Sequence, residues 1–190
     1  MLSTKVFALT FLSFFVYQPV FGHYDSPPLN KPLSEIKPED QIKSAIYQLI
    51  EDFRISIIEH KDEEKFANLF LHDSITWAAI YVGDTKNKLL EQQPNFTFQP
   101  GDYKSFYNML KDGFEERFYD IKIDIRDEFA SVTFDYTFNV NSVIQNWGIE
   151  QWSLMLVNGQ WKITSVTWSM NMEQIQKCPF ASDAYFQLKK

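Results

Sequence analysis

Residues 119–171 read YDIKIDIRDEFASVTFDYTFNVNSVIQNWGIEQWSLMLVNGQWKITSVTWSMN, and this stretch decides the fold. Its period is two. Tyr119, Ile121, Ile123 and Ile125 alternate with Asp120, Lys122, Asp124 and Arg126. Ala130, Val132, Phe134, Tyr136 and Phe138 alternate with Ser131, Thr133, Asp135, Thr137 and Asn139. Trp152, Leu154 and Leu156 make an apolar row, and Val166, Trp168 and Met170 continue it after a hairpin at Val157-Asn158-Gly159-Gln160, where Asn-Gly supplies positive φ. Strands wet on one face and dry on the other form an antiparallel sheet with one buried side.

Upstream the period changes to 3.6. Pro38, Glu39 and Asp40 suit a helix start, and Ile42, Ala45, Ile46, Leu49, Ile50, Phe53 and Ile57 fall on one stripe. The spacing predicts a helix over about 38–60, a second over about 62–71 and a third over about 103–113 capped by Asp102. Ile75 to Val82 reads as a buried strand. Gly83 to Gly101 reads as a polar loop with a short strand at Phe96-Thr97-Phe98.

The N-terminus carries Lys5, an apolar run from Val6 to Val20, and Val20-Phe21-Gly22 at cleavage positions. This is the layout of a secretory signal peptide cleaved after Gly22, too short to span a bilayer. The expected organisation is a signal peptide over 1–22, an extended Pro-containing linker over 23–37, one domain over 38–171 and a C-terminal tail over 172–190. The expected location is outside the cytoplasm, secreted or periplasmic.

A formal charge of −7 argues against nucleic acid, and no segment after the signal suits a membrane. Cys178 is the single cysteine, so no internal disulfide forms. The three His are scattered, so no metal site or cofactor is expected. Asn95-Phe96-Thr97 matches a glycosylation sequon, which counts only where the host glycosylates.

The order of elements resembles the nuclear transport factor 2-like superfamily, in its SnoaL-like branch. The Phe-Leu-His-Asp-Ser ending of the second helix, Gly148-Ile149-Glu150-Gln151-Trp152, and Asn158-Gly159-Gln160-Trp161-Lys162-Ile163 carry the resemblance. It implies an α+β fold: a cone-shaped, curved antiparallel sheet wrapped around the long N-terminal helix, with two further helices and a conical pocket. It also implies frequent dimerisation. In the ketosteroid isomerases of this superfamily, a base follows the turn after the second helix and an acid stands on a late strand. Here Ala78 and Trp152 occupy those places, so neither catalytic residue carries over.

The expected pocket wall is Phe134, Tyr136, Trp152, Leu154, Val166 and Trp168, suited to a flat or ring-shaped ligand. Taken singly, each of these is better explained by core packing. Tyr47, Asp73 and Tyr81 are weaker polar candidates, and Asp73 equally well closes a turn. The favoured reading is a secreted protein that binds a small apolar or aromatic molecule. The alternatives are an isomerase, cyclase or dehydratase of the SnoaL-like type, and a protein-interaction module. A buried carboxylate in the pocket separates the first two. The polar sheet face of Gln151, Ser153, Ser165, Thr167 and Ser169, together with Ser131, Thr133, Asp135 and Thr137, is the expected homodimer surface, with solvent or the C-terminal tail as a competing cover.

Overall fold

The computed structural model describes residues 38–180. The signal-like run, the linker and the tail beyond Phe180 lie outside the described residues. The chain order is α1 (Pro38–Glu59), α2 (Glu63–Ala67), β1 (Thr76–Tyr81), α3 (Gly83–Gln92), β2 (Gln99–Pro100), α4 (Tyr103–Met109), β3 (Phe114–Arg126), β4 (Phe129–Val140), β5 (Val143–Val157) and β6 (Gln160–Met172). The six strands form one curved, unclosed sheet in the order β2-β1-β6-β5-β4-β3. Of these six strands, β1 and β6 pair in parallel and the other neighbours antiparallel.

The inward rows of β4, β5 and β6 close over α1. Phe53 of α1 sits at the centre, with its ring centroid 4.8 Å from that of Trp152 and 5.4 Å from that of Phe66. Burying such rings supplies most of the folding energy, at about 25 cal/mol per Å². The β5–β6 hairpin turns at Asn158 (φ 51°) and Gly159 (φ 76°), as Asn-Gly requires.

Several expectations need correction. The second helix stops at Ala67, because Leu69 and Leu71 exchange backbone hydrogen bonds with Ile163 of β6. The stretch 83–101 is not a plain loop: it holds α3, a third helix beyond α1. The helix is polar over most of its length, and it is tied to β6 by the Met172 amide donating to the buried Thr85 hydroxyl at 2.9 Å. The short strand is Gln99–Pro100, not Phe96–Phe98. β1 is only half buried: Trp77 and Ala79 face inward, while Ile80 is exposed.

A β-bulge interrupts β3. Tyr119 pairs with Asp135, whereas Lys122 pairs with Thr133, and Asp120 takes a φ of 51°. A bulge inserts one residue and flips the alternation on one side of it. Ile121, Ile123 and Ile125 therefore pack inward, but so do Glu116 and Phe118. Tyr119, expected in the inward row, faces out, its hydroxyl 3.3 Å from Thr137 Oγ1 and its ring 5.5 Å from that of Phe180.

The segment after β6 lies on that outer face. Trp147 Nε1–H donates to Gln176 O at 2.9 Å, and Phe180 is buried against Trp147 and Tyr119.

Candidate functional site

Between α1, α4 and the inner face of the sheet lies a cavity of about 140 Å³. The strands set its floor. Tyr136 and Phe138 come from β4, Asn146 and Glu150 from β5, and Val166, Trp168 and Met170 from β6. Glu116 enters from β3, Phe53 from α1, Trp77 from β1, and Phe106 and Met109 from α4. The helix α4 is pinned outside the cavity, where Tyr103 Oη–H donates to Asp73 Oδ1 at 2.7 Å and Lys104 Nζ donates to Asp73 Oδ2 at 2.6 Å.

Two carboxyl groups dominate the chemistry. Register places Glu150 opposite Phe134 on one side and Trp168 on the other, and Glu116 opposite Phe138. The two side chains thus flank the β4 row and meet in a hydrogen bond. Both residues are buried, at 5% and 4% exposure. The indole N–H of Trp152 donates to Glu150 Oε1 at 2.5 Å.

The pair is asymmetric. Burial pushes Glu150 up to about 7, against the opposing pull of hydrogen bonds from Trp152 and Glu116. Glu116 is driven well above the usual carboxylate range by burial, then by the charge of Glu150 and by the hydrogen bond between them. Near neutral pH the pair titrates as a unit, and Glu150, which also accepts from the Trp152 indole, is the better placed to carry its charge.

Tyr136 completes the polar edge. Its hydroxyl donates toward Asn146 Oδ1 (3.1 Å) and the Ser169 carbonyl (3.2 Å). To reach β6 it crosses β5 at Gly148, its partner in register. A Cβ on Gly148 would stand 2.0 Å from Ser169 O, so only glycine fits. Burial, then the charges of Glu150 and Glu116, hold the phenol well above its usual range, so it stays neutral.

Of the residues expected from sequence, Tyr136, Val166 and Trp168 line the cavity. Phe134, Trp152 and Leu154 do not; they are packed solid in the core beside it. Tyr47 packs half-buried against the core without reaching the cavity. Asp73 is exposed, and its bonds from Lys104 and then Tyr103 hold it below the usual carboxylate range, so it serves as a clamp. Tyr81 faces Phe96 at 5.5 Å and lines a separate hollow of about 260 Å³ with Val82, Lys86 and Leu90.

Glu116, Glu150 and Asn146 were missed. Glu150 was findable, since it stands two residues before the inward Trp152 on the same strand. Among the described residues, no group of three or more His, Cys, Asp or Glu is placed to hold a metal ion.

No protein-family model matches the chain, and no curated protein does. Solved structures match in fold. A nuclear transport factor 2-like protein of unknown function from Shewanella baltica superposes with a TM-score of 0.50 at 16% identity, covering 69% of this chain and 94% of that one. A protein of unknown function from Mycobacterium tuberculosis gives 0.50 at 15% identity, over 78% and 90% of the two chains. A provisionally assigned dehydratase of the same family from Streptomyces avermitilis gives 0.50 at 12% identity, over 70% and 99%. At these identities the likeness shows the fold: the chain has the nuclear transport factor 2-like, cone-shaped architecture.

Proposed function

We propose that the cavity binds a small, largely apolar molecule of about one ring and that the Glu116–Glu150 pair moves a proton on it, as an isomerase or lyase does. The carrying observation is the carboxyl pair itself, two buried acids of unequal proton affinity in an otherwise aromatic space. A general base works best with a pKa near the working pH, and pairs of titratable groups pushed apart assign base and acid. Glu150 as carboxylate takes a proton from an acidified C–H. Glu116 gives its proton to the substrate atom that receives the electron pair, either a carbonyl-derived oxygen or a leaving hydroxyl. The first outcome is an isomerisation, the second loss of water. In an isomerisation Glu150 then returns the proton to another carbon and the oxygen gives its proton back to Glu116; after loss of water Glu150 holds the proton and Glu116 is ionised, and transfer along their mutual hydrogen bond restores the pair.

Size supports a one-ring ligand. An engineered apolar cavity of about 150 Å³ holds benzene, and this one measures about 140 Å³. The test is exchange of acidic C–H protons of single-ring ketones in D₂O, followed by NMR. Glu150→Gln should abolish protein-dependent exchange and Glu116→Gln should slow it. Exchange equally fast in Glu150→Gln would sink the proposal.

The mostly hydrocarbon lining favours a second reading, a binder without turnover. Binding that quenches the fluorescence of Trp77 and Trp168, whose rings lie 5.7 Å apart, with no exchange of any carbon acid, would select it.

We also propose export by the N-terminal signal and self-association through the polar face around Thr167. The first is tested by N-terminal sequencing of exported protein, which should begin near His23.

A further inference from the structure

We infer that the cavity selects a small organic cation, an amine no larger than about one substituted ring, over neutral or anionic molecules of the same shape. This rests on the reading that the cavity takes a small ligand, and it adds the ligand's charge.

Buried carboxylates are almost always paired with a cation. Glu116 and Glu150 are not. Neither is held by Lys, Arg or His, and no such residue lines the cavity among the described residues. Among the described residues the pair's one other polar partner is the Trp152 indole. The titratable groups facing the space are Glu116 from β3, Tyr136 from β4 and Glu150 from β5. The lining from α1, β1, α4 and β6 contributes no titratable side chain. Tyr81 of β1 acts on Tyr136 from outside the cavity. Once ionised, the pair carries one negative charge with no protein counter-charge beside it.

The rest of the wall suits a cation too. Phe53, Trp77, Phe106, Phe138 and Trp168 supply rings, and Met109 and Met170 supply polarizable thioethers. Ring faces attract cations, and more strongly when water is excluded. An anion meets the carboxyls and finds no cation, only the Asn146 amide as a neutral donor, since the Tyr136 proton is shared between Asn146 and Ser169. For a hard metal ion the wall offers two carboxyls, one amide and the Tyr136 hydroxyl among rings and thioethers, and among the described residues no group of three or more His, Cys, Asp or Glu is placed to hold one. Met109, 49% exposed, marks the mouth through which a substituent reaches solvent.

The test compares benzylammonium, benzyl alcohol and benzoate against the wild-type protein by calorimetry. At pH 8 the amine should bind about tenfold or more tighter than the alcohol, and benzoate should not bind. Amine affinity should fall between pH 8 and pH 6, and at pH 6 binding should release protons, because the cation favours the ionised pair. Glu150→Gln should erase the preference for amine while leaving benzyl alcohol bound. The wild-type series decides even if that variant folds poorly. Alcohol binding as tightly as amine overturns the inference, and the exchange assay then judges the proton-transfer reading separately. Displacement of amine by millimolar Ca²⁺ or Mn²⁺ overturns it in favour of a metal site, and failure of all three probes to bind overturns it outright.

Discussion

The closed end of the cone and its open end are walled by the same strands, with β3 and β6 changing phase at a bulge between them. At the closed end Val132, Trp152, Leu154 and Ile163 are each at most 1% exposed, and the Phe134 and Trp152 rings meet edge to face at 5.2 Å. At the open end Tyr136, Trp168, Glu116 and Glu150 border empty space. Residue type makes the difference. Where every inward position is apolar, α1 settles onto the sheet and Phe53 fills the gap. Where two inward positions are carboxylic and one is Gly148, the short helix α4 covers the space with Phe106 and Met109 without filling it. A cavity here results from a few positions that decline to pack.

Truncation should break the two ends unequally. Trp152→Ala removes a side chain with no solvent and no slack around it, and should cost about 3–5 kcal/mol in denaturant unfolding. Trp168→Ala borders the cavity and should cost about 1–2 kcal/mol, because neighbours can relax into existing space. Equal costs would mean that the open end is packed as tightly as the closed one.

The pH dependence belongs to the open end alone. Glu150 is raised from 4.5 to about 7, so between those values the folded state binds more protons than the unfolded one. Stability is then fully present below pH 4.5 and falls as pH rises toward 7, by about 3 kcal/mol for this group. Glu116, raised further, extends the fall to higher pH. In Glu150→Gln the decline over that window should flatten, as read from thermal melts at fixed ionic strength. Stability rising across it in the wild type would refute the buried pair.

Tyr136→Phe should cost about 1 kcal/mol, through loss of its bonds to Asn146 and Ser169. A larger loss would place the hydroxyl in the framework of the closed end. The smallest effect is expected on the outer face. Thr167→Arg should change stability by less than about 0.5 kcal/mol, yet convert a dimer to monomer in sedimentation. Wild-type monomer at micromolar concentration would leave that face to solvent and to the segment ending at Phe180.

How much of this was readable in the chain differs by end. The closed end was legible, because Val132, Phe134, Trp152, Leu154 and Val166 obey a simple period of two and bury as that period says. Glu150 obeys it too, but a carboxylate at an inward place reads as an exception until the cavity is known. Glu116 was hidden for a physical reason. Counting back in twos from Ile125, Ile123 and Ile121 puts Arg117 and Glu115 inside, and only the bulge between Tyr119 and Lys122 reverses that assignment. The shortening of α2 and the anchoring of α3 were set by partners on β6, more than 80 residues away in sequence.

The extra residue at Asp120 therefore works like a frame shift in a printed line. Everything before it is read in one phase and everything after it in the other. Deleting that one residue would leave each member of the cavity chemically intact while swinging Glu116 out to water and carrying Arg117 or Glu115 toward the interior. The difference between a paired acid and a lone one, and so between two kinds of chemistry, is then separated by one codon in a strand whose composition scarcely changes. In this chain the chemistry of the cavity depends on the length of one strand as much as on the identity of its residues.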